Sequence, residues 1–248
     1  MTAAALPRSA LPAIPRPRVS TEALPRPTAC VGYQRVLHQA VRREFRLLAE
    51  LAGWTAPENA QRTAELTEHA DLLGRVLRQH HVTERTQLWP ALFRNLPAAE
   101  QDAARSSIAD WTSRAALLDH DVRDLSTVAR QWAVAASPLA RDGFVRACAR
   151  VADAVAAHTA AEEAELLPLL ARYLPDREWT AIRRAARTTL TGREQMLVLG
   201  LALEDACALD RARLLAGLPP AARTAWRAVG SRNFRAAVVR LRGAPPAA

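Results

Sequence analysis

The chain has 248 residues, half of them hydrophobic and only 5% aromatic, and every one of its 34 basic side chains is an arginine. With nine glycines, few β-branched runs and a surplus of alanine and leucine, the composition excludes a sheet-based fold and points to an all-α protein. The net charge of +9 is scattered through every segment, which describes solvated cations better than a nucleic-acid surface, and three isolated cysteines (Cys30, Cys148, Cys207) exclude a disulfide framework or a finger-type zinc site.

Residues 1–28 read as a disordered Pro/Arg-rich tail, because its recurrent prolines remove backbone donors and disfavour helix in the residues before them. From Val31 an amphipathic pattern begins, with Leu37, Val41, Phe45, Leu48 and Leu51 on one stripe, and it ends near Gly53. A second helix is predicted from about Pro57 to Phe93, with Trp89-Pro90 near its end. A third follows Pro97 and carries Trp111, Leu117, Val122, Leu125 and Val128. Ser137-Pro138 is a start signal for the fourth, serine as cap and proline as first helical residue; that helix runs to about Tyr173, before Pro175. Long helices with short connectors predict an antiparallel four-helix bundle over residues 29–174. Residues 175–248 read as a C-terminal helical extension of shorter segments, with Trp179, Trp226 and Phe234 available for docking. The longest apolar run, Met196 to Leu203, is far too short to span a bilayer, and with no secretory signal in view a reducing cytoplasm is the expected location.

Four of the six histidines fall one per long helix: His38, His80, His120 and His158. Each lies on the stripe read for its helix. On the second the stripe is Leu73, Leu77, His80, Glu84, Leu88; on the fourth it is Val151, Val155, His158, Glu162, Leu166; on the third it is Leu117, His120, Asp124, Val128. A glutamate in an apolar stripe faces a desolvation cost of several kcal/mol unless a cation or strong hydrogen bonds meet it. A bound dication meets it, since metals require ionised carboxylates and neutral imidazoles. The His-x3-Glu spacing places both side chains on one face, a turn apart. It also occurs twice, with the same sequel: His80-x3-Glu84 runs on to Leu88-Trp89-Pro90-Ala91-Leu92, and His158-x3-Glu162 to Leu166-Leu167-Pro168-Leu169-Leu170. With one earlier histidine before each, the chain looks like two copies of a helix pair. His81, about 100° around the helix from His80, is expected to point away, and His69 lies about 16 Å along the axis from it.

This pattern resembles the hemerythrin-like (HHE cation-binding) family over roughly residues 33–172. The surroundings resemble a bacterial branch of it: Arg42-Arg43-Glu44-Phe45-Arg46, Leu88-Trp89-Pro90, Leu201-Ala202-Leu203-Glu204-Asp205, Trp226-Arg227 and Leu241-Arg242-Gly243. The resemblance implies a cofactor of two iron ions, a non-haem diiron centre with carboxylate and oxo or hydroxo bridging, held by His38, His80, Glu84, His120, His158 and Glu162. It implies dioxygen, nitric oxide or peroxide as partner, in sensing, storage or scavenging. One departure is that Asp124 stands where oxygen carriers have a second histidine on the third helix, which weakens a reading of simple transport. Two other classes stay open: a diiron oxidase or oxygenase acting on an organic substrate, and a nucleic-acid-binding regulator with a structural metal. The same ligands also suit manganese or zinc.

Overall fold

The computed structural model describes residues 28–186, 188–244 and 246. Apart from Thr28, the predicted N-terminal tail lies outside the described residues, which are helical throughout and contain no strand. Helix α1 spans Ala29–Gly53, with the Thr28 hydroxyl accepting from the Val31 amide at 3.4 Å. The predicted second helix begins three residues late, at Ala60, because Asn59 supplies the cap. It runs as α2 (Ala60–Thr83), a wide π-turn (Glu84–Leu88) and α3 (Trp89–Asn95). Pro90 accounts for the widening: its ring has no N–H and collides with the carbonyl four residues back in a regular helix.

Helix α4 (Ala98–Ala135) is the third long helix, and α5 (Pro138–Glu165) opens on the predicted Ser137 cap. The second Leu-x-Pro again disturbs the helix, here as a break at Leu166 before α6 (Leu167–Tyr173). Helix α5 packs between α1 and α4, and α2 touches both, closing an antiparallel four-helix bundle. The extension forms α7 (Asp176–Ala185), α8 (Gly192–Glu204), α9 (Ala208–Ala216), α10 (Pro220–Ala225), a second π-turn (Trp226–Gly230) and α11 (Ser231–Arg242). Helices α7, α8 and α9 lie on α1, and α11 lies on α8. None of the described helices is long and apolar enough to cross a membrane.

Two apolar clusters fill the interior. The larger contains Phe45, Leu77, Leu118, Leu125, Trp132, Phe144 and Val155. The smaller contains Cys30, Leu88, Trp89, Trp111, Leu166 and Trp179. Along α2 and its π-turn the boundary between them falls between Leu77 and Leu88, and along α5 and the break after it between Val155 and Leu166. Those two intervals hold His80, His81, Glu84, His158 and Glu162. A polar seam therefore divides the bundle.

A separate buried ionic group ties the extension down. Glu44 of α1 accepts from His69 Nε2 at 2.9 Å, from Arg43 Nε at 2.8 Å and from Arg242 of α11. Arg242 and Arg43 also meet Glu204 of α8, at 2.7 and 2.9 Å. Burial pushes the Glu44 carboxyl up, but His69, Arg242 and Arg43 outweigh it and hold the group down at about 2. Glu44→Ala should cost on the order of 3 kcal/mol, because it removes the buried carboxylate that His69, Arg43 and Arg242 share. Urea melts and faster proteolysis after residue 205 would check this; unchanged values for both would contradict it.

Candidate metal centre

The seam is built from three helices. Helix α1 places His38 one turn before Val41; α2 supplies His80 and His81; the π-turn supplies Glu84; and α5 supplies His158 and Glu162. All six side chains are buried, none more than 8% exposed. One donor atom each from His38, His80, Glu84 and Glu162 lies within 4.8 Å of the other three. His80 Nε2 is 3.2 Å from Glu84 Oε1, and His38 Nε2 is 3.6 Å from Glu162 Oε1. The other Glu162 oxygen, Oε2, is 3.9 Å from His158 Nε2 and accepts from the Trp111 indole at 3.2 Å. The four imidazoles form a row, with ring centres 5.6 Å apart for His38–His80, 6.1 Å for His80–His81 and 5.1 Å for His81–His158.

The structure does not bring His120 to this row. Its side chain is 63% exposed and lies 3.5 Å from Asp124, itself 53% exposed. The buried stripe of α4 is Trp111, Ala115, Leu118, Val122, Leu125, Ala129 and Trp132. His120 stands two residues from both Leu118 and Val122, about 200° from each around the helix, so it faces solvent. His81 departs from expectation in the opposite sense: it is fully buried. Helix α2 is covered on two sides, so His80 meets His38 of α1 while His81 meets Trp111 of α4 and His158 of α5. An inward arc of 100° or more accommodates adjacent residues. The doubled histidine itself was the available signal.

Five further residues support the cluster. Gln34 donates to Glu84 Oε1 at 2.5 Å. His38 Nδ1 is 3.0 Å from Glu163 Oε1, which Arg42 holds from the other side, and His81 Nδ1 is 2.8 Å from Asp119 Oδ1. A carboxylate only accepts, so Nδ1 of each ring carries the proton and Nε2 turns a lone pair inward. Trp111 completes the set. The apolar pattern of the third helix includes Trp111 without giving it a role, and nothing in the pattern marks Gln34.

Polar atoms are left over at the centre of the seam. His38 Nε2, His80 Nε2, His81 Nε2, Glu84 Oε2, His158 Nδ1 and Nε2, and Glu162 Oε1 are buried and have no hydrogen-bond partner among the described residues. Native interiors contain few such atoms; one His158 nitrogen carries the ring proton, which leaves one free donor atom on each of the six residues, and those of His38, His80, Glu84 and Glu162 gather within 4.8 Å as a cation's nitrogen and oxygen ligands do. The electrostatics agree. Burial, with the neighbouring His38, His81 and His158, holds His80 well below its ordinary value. Burial, with His81, His38 and Arg114, brings His158 down to about 3. Burial and the adjacent Glu162 push Glu84 well up, against the pull of Gln34.

These shifts set the pH response of metal-free protein. His80 and His158 are neutral when folded but titrate near 6.5 when unfolded, so their contribution is complete above pH 6.5 and lost as pH falls, for His158 down to about 3. Glu84 runs the other way: its contribution is present below pH 4.5 and lost as pH rises toward its elevated folded value. Stability of the metal-free chain from these groups should be greatest at intermediate pH, lost on acidification through the two histidines and on alkalinisation through Glu84. Urea midpoints at pH 8, 6.5 and 5 test this, and a steady rise across the series would refute it.

Among known proteins, a family model described as the Hemerythrin HHE cation binding domain matches residues 33–170, more than half of the chain. No curated protein and no solved structure matches it.

Proposed function

Because the chain belongs to the hemerythrin HHE cation-binding family, we propose that its buried cluster holds a pair of iron ions and that the loaded protein binds or reacts with dioxygen, nitric oxide or peroxide. The observation that carries this reading is the set of six buried histidine and glutamate side chains in one seam, each with an unpartnered nitrogen or oxygen among the described residues. His38, His80, Glu84 and Glu162 would hold one ion, and His81 and His158, whose ring centres lie 5.1 Å apart beside that group, would serve the second. Glu162 reaches both, one oxygen toward His38 and the other toward His158. Four neutral imidazoles and two carboxylates bring two negative charges to two dications, which leaves charge for a small anionic ligand. Iron supplies redox-active Lewis acidity at this place.

The protein's own groups do the positioning. Glu163 and Asp119 fix the proton on Nδ1 of His38 and His81. Gln34 and Trp111 each donate to one carboxylate and keep it from swinging. The apolar clusters on either side keep water out of the seam. Close packing by Trp111 and four imidazoles suits a ligand of two or three atoms better than an organic substrate.

Metal analysis of the purified chain tests the reading, followed by absorption spectra of the reduced, iron-loaded form on addition of each of the three ligands. Two irons per chain and a new visible band with at least one ligand are expected. A ratio of one, or spectra that none of the three changes, would overturn it.

A further inference from the structure

Away from the metal centre, the bundle and its extension leave a half-open cavity of about 560 Å³. Its lining includes His69 of α2 but none of the six cluster residues, and His69 lies roughly 16 Å along the helix from His80. The floor is apolar, built from Leu72, Met196, Leu197, Phe234 and Val238. Apolar faces normally close on one another to crystal-like density. Here they are held apart by struts. Arg75 of α2 meets Glu194 of α8 at 2.5 Å, and Glu194 is itself fixed in a capping box with Thr191. Arg62 of α2 donates to the carbonyls of Arg240 (3.1 Å) and Leu241 at the end of α11. The third wall is the π-turn Trp226–Gly230, where a Cβ at Gly230 would come within 2.8 Å of the Trp226 ring. Such turns are rare and concentrate at functional sites, and the other one in this chain delivers Glu84 to the metal cluster.

The lining also describes what would enter. The lining carries Glu65, Glu68 and Glu194 against Arg193 and Arg240, with Glu65 paired to Arg62 at 3.2 Å and Glu194 to Arg75, so the fixed charges are nearly balanced and select neither an anion nor a cation. Inside, the buried hydrogen-bonding side chain is His69, whose Nε2 is committed to Glu44 at 2.9 Å, leaving Nδ1 for a guest. The volume is that of a small-molecule site. We propose that this cavity binds an uncharged, mainly apolar molecule carrying one hydrogen-bonding group, such as a long-chain alcohol or ketone.

The test uses the full iron-loaded chain and the neutral dye Nile red, displaced by decan-1-ol, decanoate or decylamine, which share a chain length and differ in head group. Decan-1-ol should displace the dye at a concentration at least tenfold lower than either charged analogue. Leu197→Trp, which fills the floor, should weaken dye binding at least tenfold while iron per chain stays unchanged. The head-group ranking is read on unaltered protein and stands even if the variant fails to fold. Absence of dye binding, equal displacement by all three compounds, preference for a charged one, or a folded Leu197→Trp that binds dye normally would each overturn the proposal.

Discussion

Glutamine in place of Glu84 should strip the protein of iron and yet raise the melting temperature of its metal-free form. The carboxyl is buried beside Glu162, and at pH 8 its ionised form is opposed by burial and by that neighbour. The amide keeps the shape and can still accept from Gln34, which now donates to Oε1 at 2.5 Å. Removing a poorly compensated buried charge stabilises by about 1–4 kcal/mol. For a chain of this length that is roughly 3–10 °C. The same change withdraws a donor oxygen and a negative charge from the metal, and a loss of iron affinity of at least about a hundredfold, or 2.7 kcal/mol, is expected. Scanning calorimetry of the metal-free proteins, paired with competition against a chelator of known strength, reads both effects. If the variant melts lower and keeps its iron, the cluster is a structural polar network and not a ligand set.

The second large effect separates two histidines: His120, which the sequence puts among the ligands but which is exposed, and His81, which it leaves out but which is buried. His81→Ala should weaken iron binding by at least about a hundredfold. His81 is fully buried, its Nε2 lacks a partner among the described residues, and Asp119 holds its Nδ1 at 2.8 Å. His120→Ala should leave iron content alone and change stability by no more than about 0.5 kcal/mol, as an exposed surface substitution does. Asp119→Asn should fall between, with iron affinity about 10–100-fold lower, since it disturbs only the orientation of His81. Iron loss in the His120 variant with retention in the His81 variant would reverse the assignment.

The contrast shows what the sequence conveyed and what it hid. On α1, α2 and α5 the apolar residues recur at three- and four-residue steps with no competing choice, so His38, His80, Glu84, His158 and Glu162 were all placed inside correctly. On α4 two leucines are adjacent. Leu117, 69% exposed, fitted a stripe through His120, while Leu118, 1% exposed, belongs to the real one. The true stripe passes through Ala115 and Ala129, which carry little hydrophobic signal, so the frame was ambiguous by one residue. His81 was misjudged for a different reason. The 100° rule gives direction on one helix, but burial depends on which neighbours flank it, and that is a tertiary fact. The prolines at 90 and 168 were visible, and their effect, a widened turn in one copy and a break in the other, follows from the same missing N–H. The cavity under α8 and α11 has no counterpart in any pattern, because it depends on where struts such as Arg75–Glu194 land.

The placement of the ligands between two greasy half-cores has a consequence for how the bundle comes apart. Helix α2 with its π-turn and α3, and α5 with α6, pass from one half to the other through a layer that has little cohesion of its own. Iron would act there as a rivet, and its removal would leave a cleavage plane across the middle instead of fraying at the ends. Amide hydrogen exchange at residues 80–88 and 158–166 would then accelerate on chelation, while the amides around Phe45, Trp132 and Phe144, deep in the larger half, would exchange as slowly as before.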